Sequence, residues 1–159
     1  MRRLIRWLRG NGAPRVGIYG VSLGAYTAAL TASLEDELDC AIAGIPATCF
    51  VRLLGSQLPD IAVRALARAG LPLERIETLL RVVSPLCIPP RLPREKRFVY
   101  AGLGDRLATP EHARDLWHHW ERPRSEWYDG GHVSFLWESP VRALVQEALT
   151  ACGMVRGAP

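Results

Sequence analysis

Lysine is almost absent from this 159-residue chain. Lys96 is the only lysine, so arginines carry nearly all of the positive charge behind the formal net charge of +4. These arginines are scattered from Arg2 to Arg156 and do not form one patch with aromatic side chains between them. No helix-turn-helix, zinc-finger or RNP signature accompanies them, which argues against nucleic acid as a partner.

Metal-binding cysteine patterns are missing too. The cysteines stand far apart, and no CxxC pair or Cys/His spacing suited to a metal surrounds them. This pattern favours reduced, mostly buried thiols in a cytoplasmic protein and predicts no metal site. The cysteines are Cys40, Cys49, Cys87 and Cys152.

Long hydrophobic runs are also lacking. No segment reaches the roughly 18 consecutive apolar residues of a membrane span, so none is predicted. Residues 2–9 mix arginines with apolar side chains, as a signal peptide does. However, Arg6 and Arg9 interrupt the apolar stretch and no small-residue cleavage site follows. We therefore expect a short amphipathic helix that packs on a sheet, with membrane-surface binding as the weaker alternative.

The remaining composition is that of one globular domain, with 48% hydrophobic residues. Short apolar runs alternate with segments of helical periodicity, which predicts an α/β fold: a mainly parallel sheet of about four strands with flanking helices. We expect a single domain over residues 1–152 and a flexible tail over 153–159. The predicted strands are 16–19, 40–45, 97–101 and 125–128, and the predicted helices are 2–9, 23–34, 59–69, 73–82, 110–120 and 140–152.

A serine stands between two glycines directly after the first predicted strand, in the pattern Gly20-x-Ser22-x-Gly24. By itself the pattern also fits an ordinary tight turn. A strand before it and a helix after it favour a nucleophile elbow, a strained turn that exposes the serine hydroxyl. The glycines are expected to leave room for this turn. The N–H of Leu23, at the start of the helix, is expected to face a developing oxyanion.

A serine nucleophile needs a base, and His132 is the candidate among the four histidines. It follows the fourth predicted strand on a glycine-containing loop, at the carboxyl end of the sheet, where sites of α/β proteins form. The other three histidines lie in the helix predicted over 110–120, facing solvent or the sheet. An ordinary loop histidine is the alternative reading of His132.

Two aspartates compete for the third position. Asp105 follows the third predicted strand, whereas Asp129 stands three residues before His132 on the histidine's own strand. A carboxylate on that strand is poorly placed to reach the imidazole from behind, which favours Asp105. The resulting chain order is Ser22, Asp105, His132, the order used by α/β-hydrolases.

Four segments, "GVSLGAY", "AIAGIPA", "RFVYAGLGDRLATP" and "GGHVSF", resemble the C-terminal half of an α/β-hydrolase of the esterase, lipase and dienelactone-hydrolase-like kind. The resemblance implies that Ser22 is the nucleophile, His132 the general base and Asp105 the orienting carboxylate. It implies a helical cap over residues 48–84, no cofactor, and hydrolysis of small-molecule carboxylic esters or thioesters. Peptidase, acyltransferase and lactone-hydrolase activities fit the same residues.

The chain departs from that superfamily in what precedes the elbow. Half of the superfamily's sheet comes before the elbow strand, whereas only residues 1–15 precede Val16 here. The absent half carries the second oxyanion donor and covers the edge of the strand at Val16–Tyr19. We therefore expect either a truncated domain or pairing of this edge with a second copy or a partner chain. The alternative function is a catalytically impaired interaction or structural module that needs such a partner.

Overall fold

A parallel sheet of four strands organises the chain, whose computed structural model describes residues 1–155. The strands lie in the order β1-β2-β3-β4, and each pairs in parallel with the next. The predicted α/β class and parallel sheet are confirmed. Within residues 1–155 no helix has the length and apolar character needed to cross a bilayer. The strands are β1 Gly17–Val21, β2 Cys40–Gly44, β3 Arg97–Gly102 and β4 Arg124–Tyr128.

Helices connect and flank these strands in the described part of the chain. Two predictions need correction: β1 runs to Val21 rather than ending at Tyr19, and a helix over Phe50–Gln57 precedes the two helices predicted in the insertion. The helices are α1 Arg2–Gly10, α2 Leu23–Leu34, α3 Phe50–Gln57, α4 Asp60–Arg68, α5 Leu73–Leu80, α6 Pro110–His119 and α7 Ser139–Ala151.

The central strands β2 and β3 are buried on both faces, which explains why all of their residues except Arg97 are apolar or aromatic, whereas the edge strands β1 and β4 are partly exposed. Side chains alternate along β3, so Val99 joins the core under α2 and α6, whereas Phe98 and Tyr100 join the core under α7. Alanines of α2 line the first core and bring that helix close to the strands. Close packing of these side chains fixes how far each strand extends, and with it the position of the residues that follow the strand.

The amphipathic helix α1 packs on the core through Ile5 and Leu8, whereas Leu4 and Trp7 are exposed, so the expected packing holds for only part of its apolar face. Ile5 is buried in the core shared with α2, and Arg9 pairs with Asp39 just before β2. Burial would raise the pKa of Asp39, but the N–H of Val16 and the guanidinium groups of Arg15 and Arg9 together lower it. Asp39 thus holds the start of β1, the start of β2 and α1 together as a carboxylate.

The insertion between β2 and β3 is packed differently. No residue from 49 to 84, the stretch that carries α3, α4 and α5, is buried. Phe50 stacks on Tyr26 of α2 with ring centroids 4.5 Å apart, and Tyr26 donates a hydrogen bond to the carbonyl of Val83. The insertion therefore contacts α2 near its first and last residues and has no buried core of its own.

The burial of the cysteines agrees only in part with the expectation from the sequence. Cys40 and Cys152 are buried, but Cys49 is half-buried and Cys87 is exposed, so the expectation of mostly buried thiols holds for only two of the four. Met154 packs against the core under α7. Of the tail predicted over 153–159, residues 156–159 lie outside the described residues.

Candidate active site

The carboxyl ends of three strands bring together the three residues singled out by their order in the chain. Ser22 follows β1, Asp105 follows β3, and His132 follows β4. Because all strands are parallel, their carboxyl ends share one edge of the sheet. The register of the strands therefore places these three residues next to one another at that edge.

Ser22 occupies a strained turn between β1 and α2. Its backbone has φ +56° and ψ −115°, on the positive-φ side that a non-glycine residue rarely adopts. Its N–H donates to the carbonyl of Gly44 at the end of β2, and its carbonyl accepts from the N–H of Ala25 and Tyr26. The turn is thus held from the sheet on one side and by the first turn of α2 on the other.

The two glycines of the motif are not equivalent. A Cβ on Gly20 would lie 2.0 Å from the carbonyl oxygen of Gly24, so position 20 cannot carry a side chain in this turn. A Cβ on Gly24 would meet nothing within 4 Å. The expectation that both glycines are needed for space is therefore wrong for Gly24. The clash would be between a side chain at position 20 and the backbone of Gly24, so only position 20 must lack a side chain.

His132 lies between the serine and the aspartate. Its Nδ1 is 2.7 Å from Asp105 Oδ2, and its Nε2 is 3.1 Å from Ser22 Oγ. A carboxylate only accepts, so the Nδ1–H donates to Asp105 and Nε2 accepts the proton of the Ser22 hydroxyl. Asp129 is exposed and makes no hydrogen bond to this ring among the described residues.

Asp105 is buried and held from two directions. The residue is 3% exposed. Its Oδ2 faces His132, and its Oδ1 accepts from the N–H of Leu107 at 2.8 Å and of Ala108 at 3.0 Å. The hydrogen bonds to Oδ1 therefore close a turn that leads into α6, and they orient the carboxylate so that Oδ2 points at His132.

Backbone hydrogen bonds join the Asp105 turn to the His132 loop. The N–H of Leu103 donates to the carbonyl of Tyr128, and the N–H of Gly104 donates to the carbonyl of Gly130. Burial raises the pKa of Tyr128 to about 12. Its neutral hydroxyl donates to the carbonyl of Gly131, next to His132. These hydrogen bonds hold the turn of Asp105 and the loop of His132 against each other, which fixes the two side chains relative to one another.

The start of α2 offers donors beside the serine. Within residues 1–155 the N–H groups of Leu23 and Gly24 have no hydrogen-bond acceptor. Free N–H groups and the positive end of a helix favour negative charge at this position. In the same part of the chain, no three His, Cys, Asp or Glu side chains are grouped to hold a metal ion.

Sequence reasoning missed His112 and the apolar rim of the site. His112 is buried and contacts the start of the insertion, although its helix position predicted solvent or sheet contact. Because that contact joins residues far apart in sequence, no local pattern could have revealed it. Four apolar side chains that stand within two residues of Ser22, Asp105 or His132 in sequence are exposed, and we call them the apolar rim: Leu23, Leu103, Leu107 and Val133.

No protein-family model matches the chain. Two curated relatives, "Uncharacterized protein MT2702" and "Uncharacterized protein Rv2627c" of Mycobacterium tuberculosis, are each 40% identical to it over 157 residues. These alignments include 98% of the chain but only 37% of each relative. The chain therefore spans about a third of the length of the relatives it matches.

Solved structures of hydrolases resemble the chain. A Mycobacterium tuberculosis puromycin-hydrolyzing peptidase matches 98% of the chain with 26% of its own length, at a TM-score of 0.72 and 20% identity. The Pyrococcus furiosus esterase Pf2001 matches 92% of the chain with 58% of its own length, at a TM-score of 0.64 and 19% identity. Together with the strand order and helix placement, these likenesses identify the chain as a part of the α/β-hydrolase fold.

Proposed function

We propose that the chain contributes the catalytic residues of a serine hydrolase that cleaves carboxylic esters or thioesters through an acyl-enzyme at Ser22. The observation that carries this proposal is the continuous hydrogen-bonded series from Ser22 through His132 to the buried Asp105. In this series each polar atom has the partner it needs for proton transfer from the hydroxyl to the imidazole.

The reaction follows from these contacts. His132 Nε2 takes the proton of Ser22 Oγ as that oxygen attacks the carbonyl carbon of the substrate. Asp105 stabilises the imidazolium that forms, and the N–H of Leu23 stabilises the negative oxygen of the tetrahedral intermediate. The imidazolium then gives its proton to the leaving alcohol or thiol as the bond to the acyl carbon breaks. A water molecule, deprotonated by the same imidazole, then attacks the acyl carbon. As the bond from that carbon to Ser22 Oγ breaks, the imidazolium returns its proton to Oγ, which releases the acid and restores Ser22.

The substrate class is supported by the rim of the site. Leu23 and Val133, next to the serine and the histidine, are exposed apolar side chains, as are Leu103 and Leu107 around Asp105. Such a rim suits an uncharged ester with an apolar acyl group better than a highly charged substrate. We assign residues 48–84 as the helical cap of a single hydrolase domain over residues 1–152, since they begin and end beside α2.

A second candidate function, an interaction module, is favoured by the open edge of β1. Val16 and Ser22 bond β2 through their backbone, so alternation turns the N–H and C=O groups of Gly17, Tyr19 and Val21 toward the open edge. An unpaired strand edge recruits another strand. A second copy or a partner chain paired here would make self-association or complex formation measurable by sedimentation, and a strictly monomeric chain at high concentration would count against it.

Hydrolysis of an activated ester tests the proposed reaction. The purified chain is expected to release p-nitrophenol from a short p-nitrophenyl ester above the rate of buffer, and Ser22→Ala should lower that rate by roughly 1,000-fold or more. Circular dichroism of the variant controls for folding. Equal hydrolysis by the folded variant would rule out Ser22 as the nucleophile. Self-association without hydrolysis by the parent chain would favour the interaction module.

A further inference from the structure

A buried histidine outside the serine site holds the beginning of the insertion. His112, in the first turn of α6, is 1% exposed. Its Nδ1 accepts a hydrogen bond of 3.2 Å from the N–H of Cys49, the residue that precedes α3. Because a backbone N–H only donates, Nδ1 must be unprotonated, and the imidazole is neutral in this contact.

Neighbouring polar contacts run along the same interface. The hydroxyl of Thr48 donates to the carbonyl of His112 at 2.9 Å. One turn further along both helices, Arg52 of α3 pairs with Asp115 of α6 at 2.7 Å.

At its far end, α3 reaches the turn that carries the acid. The amide of Gln57 lies 3.4 Å from the carbonyl of Arg106, next to Asp105. Helix α3 is therefore tied at its start to α6 and at its end to the Asp105 turn. No residue from 49 to 84 is buried, and the packing of Phe50 on Tyr26 is the apolar contact that joins this helix to α2. Directional polar contacts therefore contribute to its position. The imidazole of His112 is buried, and its hydrogen bond with Cys49 is partly buried.

We infer that His112 is a positioning residue that fixes α3, and with it the cap, beside the Asp105 turn and so controls access of longer acyl groups to Ser22. The access part of this inference rests on the proposed function, whereas the position of α3 does not. His112 touches neither Ser22 nor His132 and acts through the insertion.

The charged groups around His112 set how this contact responds to pH. Burial lowers the pKa of His112, and Arg52 of α3 lowers it further, whereas Asp115 and Glu111 of α6 and Asp105 raise it. The folded pKa therefore lies below the ordinary value of 6.5. A histidine with a depressed folded pKa stabilises the closed contact fully above that ordinary value. The stabilisation falls as the pH drops toward the folded pKa, because the opened state binds the proton first.

Hydrogen exchange followed by mass spectrometry tests the position of α3 directly. His112→Asn keeps an acceptor near Nδ1 but does not titrate, His112→Leu removes the acceptor, and His118→Leu is a control at an exposed position of the same helix. Parent and variants are compared at the same pH, so that intrinsic exchange rates cancel.

At about pH 7.5 we expect parent, His112→Asn and His118→Leu to protect α3 equally, and His112→Leu to exchange about 10-fold faster. At about pH 5 the parent should exchange faster than His112→Asn, because the opened state binds a proton more readily and gains population as the pH falls below the ordinary value. Equal protection of α3 in the parent and in folded His112→Leu at about pH 7.5 would overturn the inference. If His112→Leu fails to fold, equal protection of the parent and His112→Asn at both pH values would overturn it instead.

Labelling of the serine tests the access part separately. In His112→Leu we expect the ratio of labelling rates by a long-chain and a small fluorophosphonate to change about 5-fold, with the rate for the small probe unchanged. An unchanged ratio would contradict the role in access. If neither probe labels the parent chain, the proposed function fails, while hydrogen exchange still decides whether His112 positions α3.

Discussion

The turns at the carboxyl ends of the strands and the insertion over residues 49–84 are built in opposite ways. In the turns, the backbone of Ser22 is held by Gly44 of β2 and by the first turn of α2, and the N–H groups of Leu107 and Ala108 hold the carboxylate of Asp105. Both turns lie at the ends of a sheet whose central strands are buried on both faces. In the insertion no residue is buried, and α3 is held by the contact of Phe50 with Tyr26 and by a few polar contacts with α6 and the Asp105 turn. The comparison indicates that the candidate site is rigid and that the insertion beside it can change position at a low cost in free energy.

This contrast has a simple energetic origin. A buried strand cannot shift its register without moving every side chain to the wrong face, so the residues that follow it keep their places. A helix held by exposed polar contacts opens for a small fraction of that free energy. Substitutions should therefore have large effects at the turns and small effects in the insertion.

The largest effect is expected at the acid. Asp105→Asn should lower the rate of ester hydrolysis, or of fluorophosphonate labelling, by roughly 10,000-fold, because an amide in place of Oδ2 stabilises the wrong tautomer of His132 and no longer balances the imidazolium. Asp129→Asn, on the His132 loop, serves as the control and should change the rate by less than about 3-fold. A large loss with Asp129→Asn and none with Asp105→Asn would reverse the assignment of the acid.

The next effect separates the two glycines of the Ser22 turn. Gly20→Ala should lower the free energy of unfolding by about 3 kcal/mol or more, because the new Cβ would overlap the carbonyl of Gly24 and force the turn apart. Gly24→Ala places its Cβ in open space within α2 and should leave stability unchanged or raise it by up to about 1 kcal/mol. Thermal and urea unfolding measure both, and equal losses would show that the turn differs from the one described.

The smallest effect is expected in the insertion. Ile61 of α4 is 75% exposed, so Ile61→Ala should change the free energy of unfolding by less than about 0.5 kcal/mol. Ile42 of β2 is 1% exposed, and Ile42→Ala should cost about 2–5 kcal/mol. Urea unfolding of the two variants measures the contrast directly. A loss at Ile61 close to that at Ile42 would mean that the insertion belongs to the cooperative core.

Features with a local sequence signal could be predicted, whereas features that depend on contacts between distant residues could not. Parallel strands alternating with helices could be predicted because apolar runs and helical periodicity are local signals. The order of Ser22, Asp105 and His132 could be read because each residue follows a separate strand, and their catalytic roles stay predictions. Helix α3 was not predicted as a separate element, although Phe50, Leu53 and Leu54 stand at helical spacing, because a segment of eight residues is too short for its period to be decisive. The contact of His112 with Cys49 depends on how the chain folds back on itself and has no sequence signature.

The most direct test of the central claim is the intact mass of the purified chain after treatment with a small fluorophosphonate, with Ser22→Ala beside it. The probe reacts with an activated serine and needs little recognition of a substrate. Activation of Ser22 by His132 and Asp105 predicts one adduct on the parent chain and none on the variant. Absence of an adduct on the folded parent chain, or an equal adduct on Ser22→Ala, would contradict the claim that these three residues form a working nucleophilic site.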